Sequence, residues 1–145
     1  MKKIETSRFG KIEIEKKRVI TFPEGLIGFP DQKEYAILEH KPGSPFFWLQ
    51  SMEQPELAFV MTDPFLLKQD YLQDLSTDEA GHFEKKNGSD IVVFVLLTIP
   101  PGNINGMTAN LLGPLVIDSE TRQGKQVILA NSGYDTRFPV PADPA

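Results

Sequence analysis

Ile91-Val92-Val93-Phe94-Val95-Leu96-Leu97-Thr98-Ile99 is the most apolar stretch of the 145-residue chain, and its reading decides the fold. β-Branched and aromatic residues dominate it, Asn87-Gly88 precedes it and Pro100-Pro101-Gly102 stops it, so a strand is favoured over a helix. Polar residues do not alternate through it, which predicts cover on both faces and therefore a closed barrel or a sandwich. Gly113-Pro114-Leu115-Val116-Ile117 supplies a neighbouring strand, and Met107 to Leu112 another.

Upstream, Ile4–Thr6 and Lys11–Glu15 read as strands joined by a turn at Arg8-Phe9-Gly10, because Ile12 and Ile14 alternate with charged residues across the pleat. Val19–Phe22 is a third strand. Pro23-Glu24-Gly25-Leu26-Ile27-Gly28-Phe29-Pro30 reads as an ordered loop with an apolar inner face, its glycines standing where the chain needs positive φ. It has neither the G-x-G-x-x-G nor the G-K-[ST] spacing of a phosphate-cradling loop. Tyr35–Glu39, Phe46–Ser51 and Leu57–Thr62 follow as strands. In the second of these the pleat sends Phe46 and Trp48 to one face and Phe47 and Leu49 to the other, either as two core layers or with one aromatic left at a binding surface.

Gln69 to Leu75 reads as a further strand carrying Tyr71 and Leu72. Ser76-Thr77-Asp78-Glu79 matches a capping box and predicts one helix of about two or three turns, stopped by Asn87-Gly88 and weakened by Gly81. Asn105-Gly106 reads as a tight turn, and Lys125–Ala130 as the last strand. The fold class is therefore all-β: a small closed or partly open antiparallel β-barrel-like domain with one short helix. Residues 1–136 form the single domain, and the proline-rich 137–145 is expected to be a flexible tail.

Composition narrows the function. The chain has no cysteine, which excludes thiol catalysis and thiolate zinc sites. Its two histidines, His40 and His82, lie in no metal-ligand spacing and are expected to be solvated, and no G-x-S-x-G elbow is present. The expectation is a protein that is not an enzyme, with no cofactor and no metal. A start without an apolar leader core and the lack of a spanning run point to a cytoplasmic protein with no membrane contact. Asn87-Gly88-Ser89 is a glycosylation sequon without a secretory signal to give it meaning.

The net charge of −5 hides an asymmetry. Residues 1–18 hold seven basic groups against three acidic ones, whereas 53–84 hold eight carboxylates against Lys68 alone. Such an acidic stretch is either a solvated surface or a field that attracts a basic partner and repels phosphate. No lysine or arginine lies between Lys41 and Lys68 to accompany the aromatic run, so direct nucleic-acid binding is not expected.

Several phrases, in order along nearly the whole chain, carry a resemblance: Phe22-Pro23-Glu24-Gly25-Leu26-Ile27-Gly28-Phe29, Phe47-Trp48-Leu49-Gln50-Ser51, Leu57-Ala58-Phe59 with Asp63-Pro64 and Tyr71, Thr108-Ala109-Asn110-Leu111-Leu112-Gly113-Pro114, and Gly124-Lys125-Gln126. Together they resemble the bacterial flagellar assembly factor FliW family. The resemblance implies a small β-barrel-like cytoplasmic protein, monomeric when free, that binds flagellin and the translational regulator CsrA. In that family FliW keeps CsrA from repressing flagellin translation, and free flagellin draws FliW away. On this reading Glu53, Glu56, Asp63, Phe65, Asp70, Tyr71 and Asp74 are expected to meet CsrA. Leu26, Phe29, Asn110 and Leu111 are expected to meet flagellin. The competing expectation is a barrel that holds a small ligand or acts as an uncharacterised enzyme, which requires a deep polar pocket.

Overall fold

The computed structural model describes residues 2–84 and 90–140; the Asn87-Gly88 helix stop, the Asn87-Gly88-Ser89 sequon and Pro141–Ala145 lie outside the described residues. The strands are β1 (Lys2–Thr6), β2 (Gly10–Ile14), β3 (Val19–Thr21), β4 (Glu34–Glu39), β5 (Phe46–Ser51), β6 (Ala58–Thr62), β7 (Ile91–Thr98), β8 (Thr108–Ala109), β9 (Leu115–Asp118), β10 (Gly124–Gln126) and β11 (Phe138–Pro139). The main sheet runs β10-β9-β7-β6-β5-β4-β3 with every neighbour antiparallel. β8 joins the C-terminal end of β7 and carries β11. β1 and β2 form a separate hairpin whose Ile4 and Ile14 pack on Ala36 of β4.

The ends of the sheet nearly meet. Thr21 of β3 bridges Gln123, just ahead of β10, and its N–H donates to the Arg122 carbonyl at 3.0 Å. Among the described residues no continuous ladder joins the two ends, so the architecture is a partly open, barrel-like sheet. Beneath the seam lies Phe22, fully buried, and a Cβ at Gly124 would stand 2.7 Å from its ring. Only glycine lets β10 come this close.

β7 is the hub that its composition predicts. It pairs with β6 along one edge and with β9 and then β8 along the other. Phe94 and Leu96 face the largest cluster, with Phe22, Leu26, Tyr35, Leu49, Met61 and Leu115. Val93, Val95 and Leu97 face a second, with Tyr71, Met107, Leu111 and Val140. Cover is complete only at the middle of the strand, because Val92 is 38% exposed.

Four local expectations are corrected. Gln69–Leu75 is not a strand but a run of turns, in which Leu72 (φ 70°) and Asp74 (φ 62°) take left-handed conformations that no ladder accommodates. Strand β8 stops at Ala109 rather than Leu112, because the Asn110 side chain accepts from the Gly113 N–H at 2.9 Å and turns the chain. The last strand ends at Gln126, since Val127 then faces Pro114, which accepts its N–H but has none to return. Finally, the proposed tail begins inside the fold: Phe138–Pro139 pair with β8, and Val140 is 4% exposed with its N–H on the Met107 carbonyl.

The helix starts where the capping signal predicts but is shorter than expected: α1 spans only Thr77–Ala80 and continues as a 3-10 turn through Gly81–Phe83, with Glu84 already extended and short of Asn87. Ser76 Oγ accepts from the Glu79 N–H at 3.2 Å. The Glu79 carboxylate is buried and accepts from the Asn131 N–H at 3.1 Å, tying the helix to the loop after β10.

Candidate functional site

The acidic stretch is not one patch. Glu53 and Glu56 sit in the β5–β6 turn, which Gln50 pins from below by donating to the carbonyls of Pro55 and Leu57, each at 3.2 Å. Asp63 stands beyond the opposite end of β6, a strand about 17 Å long at the ordinary rise. There Asp63 Oδ1 accepts from the Phe65 N–H at 2.8 Å and starts a 3-10 turn over Pro64–Leu66. That turn lifts Phe65 and Leu66 into solvent, 40% and 66% exposed. Lys68 meets Asp70 at 3.0 Å, and this bond with its attendant charge holds the Asp70 carboxyl below the usual range. Asp74 is exposed at a positive φ.

Tyr71, expected among the exposed contact residues, is 1% exposed. Its hydroxyl donates to the Leu111 carbonyl, and its ring lies against Phe65 at 5.9 Å and Tyr134 at 4.7 Å. Burial, with Tyr134 adding to it, pushes its phenol well above the ordinary range. Leu111, from the other expected set, is fully buried at the far end of that bond. Both are internal supports of the surfaces they were assigned to.

Leu26 is likewise buried in the main cluster, while Phe29 is 37% exposed and rests edge-on against Phe59 at 5.3 Å. The loop between them closes on itself, Phe29 N–H donating to the Leu26 carbonyl at 2.8 Å with Gly28 at φ 89°. That closure turns Ile27 outward, 61% exposed. Gln126 then connects this loop to Asn110. Its Oε1 accepts from the Ile27 N–H at 2.9 Å, and its Nε2 donates to the Gly113 carbonyl at 3.0 Å. Gly113 is the residue whose N–H Asn110 caps, so three segments far apart in sequence meet in one relay. Ile128, 48% exposed, closes over Gly113 beside it.

Sequence reasoning named the Asn110 segment and the Pro23–Pro30 loop as alternatives, and the structure links the two through Gln126. It missed Ile27, Ile128 and the joining role of Gln126, because nothing local marks a contact between residues 99 apart in the chain.

A groove of about 590 Å³ opens between this loop and β10, floored by Ile91 and Val116 and walled by His82 and Glu84. Lys125 Nζ lies 3.0 Å from His82 Nδ1 within it. His40 is also exposed, and it accepts from Trp48 Nε1 at 3.3 Å. Trp48 itself is half-buried under the Arg8 guanidinium, 4.4 Å from its ring centre. Among the described residues no group of three His, Asp or Glu side chains is placed to hold a metal ion, and no helix is long and apolar enough to cross a membrane.

These features define a partly open β-barrel-like domain with an apolar interior and its irregular chemistry on the outside. The family model described as FliW protein matches residues 3–140, and the chain belongs to the FliW family. It is 42% identical to the flagellar assembly factor FliW of Natranaerobius thermophilus over 95% of this chain and 91% of that one. To the protein of the same name from Alkaliphilus metalliredigens it is 40% identical over 92% of this chain and 83% of that one. A crystal structure of the flagellar assembly factor FliW superposes with a TM-score of 0.82 at 36% identity, covering 95% of this chain and 96% of that one.

Proposed function

We propose that this protein is a cytoplasmic flagellar assembly factor that binds flagellin and antagonises CsrA, coupling flagellin translation to export by partner exchange. The observation that carries the reading is the family match over residues 3–140. The surface adds support. Carboxylates at Glu53, Glu56, Asp63, Asp70 and Asp74 suit a basic RNA-binding partner, with exposed Phe65 and Leu66 supplying apolar contact beside the last three. Phe29, Asn110 and the relay around Gln126 form a second, more apolar surface suited to flagellin.

Titration calorimetry against purified CsrA and flagellin, followed by addition of flagellin to the preformed CsrA complex, tests the reading. Binding of both, with flagellin displacing CsrA, is the expected result. Silence with both, matched by a silent pull-down, overturns it.

A further inference from the structure

We propose that the groove between the Pro23–Pro30 loop and β10 docks a polypeptide segment presenting an apolar side chain next to a lysine or arginine, with Ile27 as the anchor. A single exposed isoleucine is ordinary on a protein surface. This one differs because its main chain is fixed. Leu26 is drawn into the core and Phe29 bonds back to it, while the Ile27 N–H is held by Gln126. The side chain is therefore displayed on a rigid support at the lip of a cavity of about 590 Å³, so a partner need not pay to order the loop. Val116 floors the same cavity, and Ile128 extends the apolar surface on the other side of Gln126.

Charge selects the occupant. Glu24 and Glu84 line the groove and neither forms an ion pair among the described residues. The lysine of the groove, Lys125, is directed onto His82 instead. Asp118 is engaged in its own turn, accepting from the Glu120 and Thr121 N–H groups. Two carboxylates without an ion pair among the described residues, set beside an apolar anchor, favour a segment that brings its own cation and repel one that carries a carboxylate.

The inference rests on the partner-exchange reading for its probes, flagellin and CsrA. Ile27→Asp, Ile27→Ser and Glu24→Lys in the full chain are titrated against each, with Leu66→Asp as a control on the other surface and urea midpoints as the check of folding. The expected result is that Ile27→Asp, at the surface assigned to flagellin, weakens flagellin binding at least tenfold. Glu24→Lys should weaken the same partner severalfold, and Leu66→Asp should leave it within twofold of wild type. If Ile27→Asp shifts the urea midpoint, Ile27→Ser decides in its place. Wild-type affinity of the Ile27 variants for flagellin overturns the groove while the partner reading stands. Loss on Ile27→Asp without loss on Glu24→Lys overturns the cationic choice. A wild-type protein silent with both partners overturns the partner reading and this occupant with it.

Discussion

The Tyr71 hydroxyl and the Leu111 carbonyl, 40 residues apart, are joined by a buried hydrogen bond of 2.5 Å that ties the turns after β6 to the segment after β8. Tyr71→Phe keeps the ring against Tyr134 but leaves a buried carbonyl without its donor. The expected loss is about 1–3 kcal/mol of stability, read as a lower urea midpoint at unchanged slope. An unchanged midpoint would mean that the bond contributes nothing net.

Alkaline pH should expose the same chemistry. Burial, with the Glu53 charge adding to it, pushes the Tyr35 phenol up to about 12, and burial raises Tyr71 as well. A phenol whose folded pKa exceeds the unfolded value of about 10 contributes stability that is complete below pH 10 and is lost as pH rises through the folded value. The urea midpoint should therefore fall between about pH 10 and 12, more steeply in wild type than in Tyr35→Phe. Parallel curves for the two proteins would contradict this.

At the seam, Gly124→Ala places a methyl group 2.7 Å from the Phe22 ring, which is fully buried and has no room to retreat. The expected destabilisation is about 1–3 kcal/mol. Gly25→Ala should be worse, since its φ is +69° and the new Cβ would stand 2.5 Å from the Phe29 carbonyl oxygen. Thermal unfolding of the two variants, ranked with Gly25→Ala the less stable, checks both.

The exposed turn over Pro64–Leu66 separates binding from folding. Leu66→Ser should change stability by no more than about 0.5 kcal/mol, because the side chain is 66% exposed, yet weaken CsrA binding measurably. Charge reversal is best placed at Asp70 alone, since Asp74 sits at φ 62°, where a lysine adds backbone strain of its own. Full CsrA affinity in both Leu66→Ser and Asp70→Lys would remove this turn from the CsrA surface.

The strands were readable where composition alone sets conformation. The β-branched run of β7, the alternation of Ile12 and Ile14 and the capping serine at Ser76 each act within a few residues. Leu72 at positive φ was not readable, because leucine seldom adopts that backbone and only the packing of Tyr71 and Tyr134 around it imposes it. The end of the last strand turned on which residue faces Val127, a matter of register that the chain fixes only once folded.

The candidate surfaces divided along the same line. Chemical character was visible in Asp63, Phe65 and Phe29, but orientation was not. Tyr71, Leu26 and Leu111 turned inward, and Ile27 outward, because the loop closures that decide this span only a residue or two. The separation of Glu53 from Asp63 follows from the length of β6, which a count of charges along the chain does not register.

At the junction of Thr21 with Gln123 an isolated bridge stands where the rest of the main sheet has ladders. Every other neighbour in the main sheet is held by a ladder of successive pairs, so deformation concentrates where one contact must do the work of several. Opening that joint would also have to break the bond from the Ile27 N–H to Gln126, so the loop bearing Ile27 doubles as a latch on the seam.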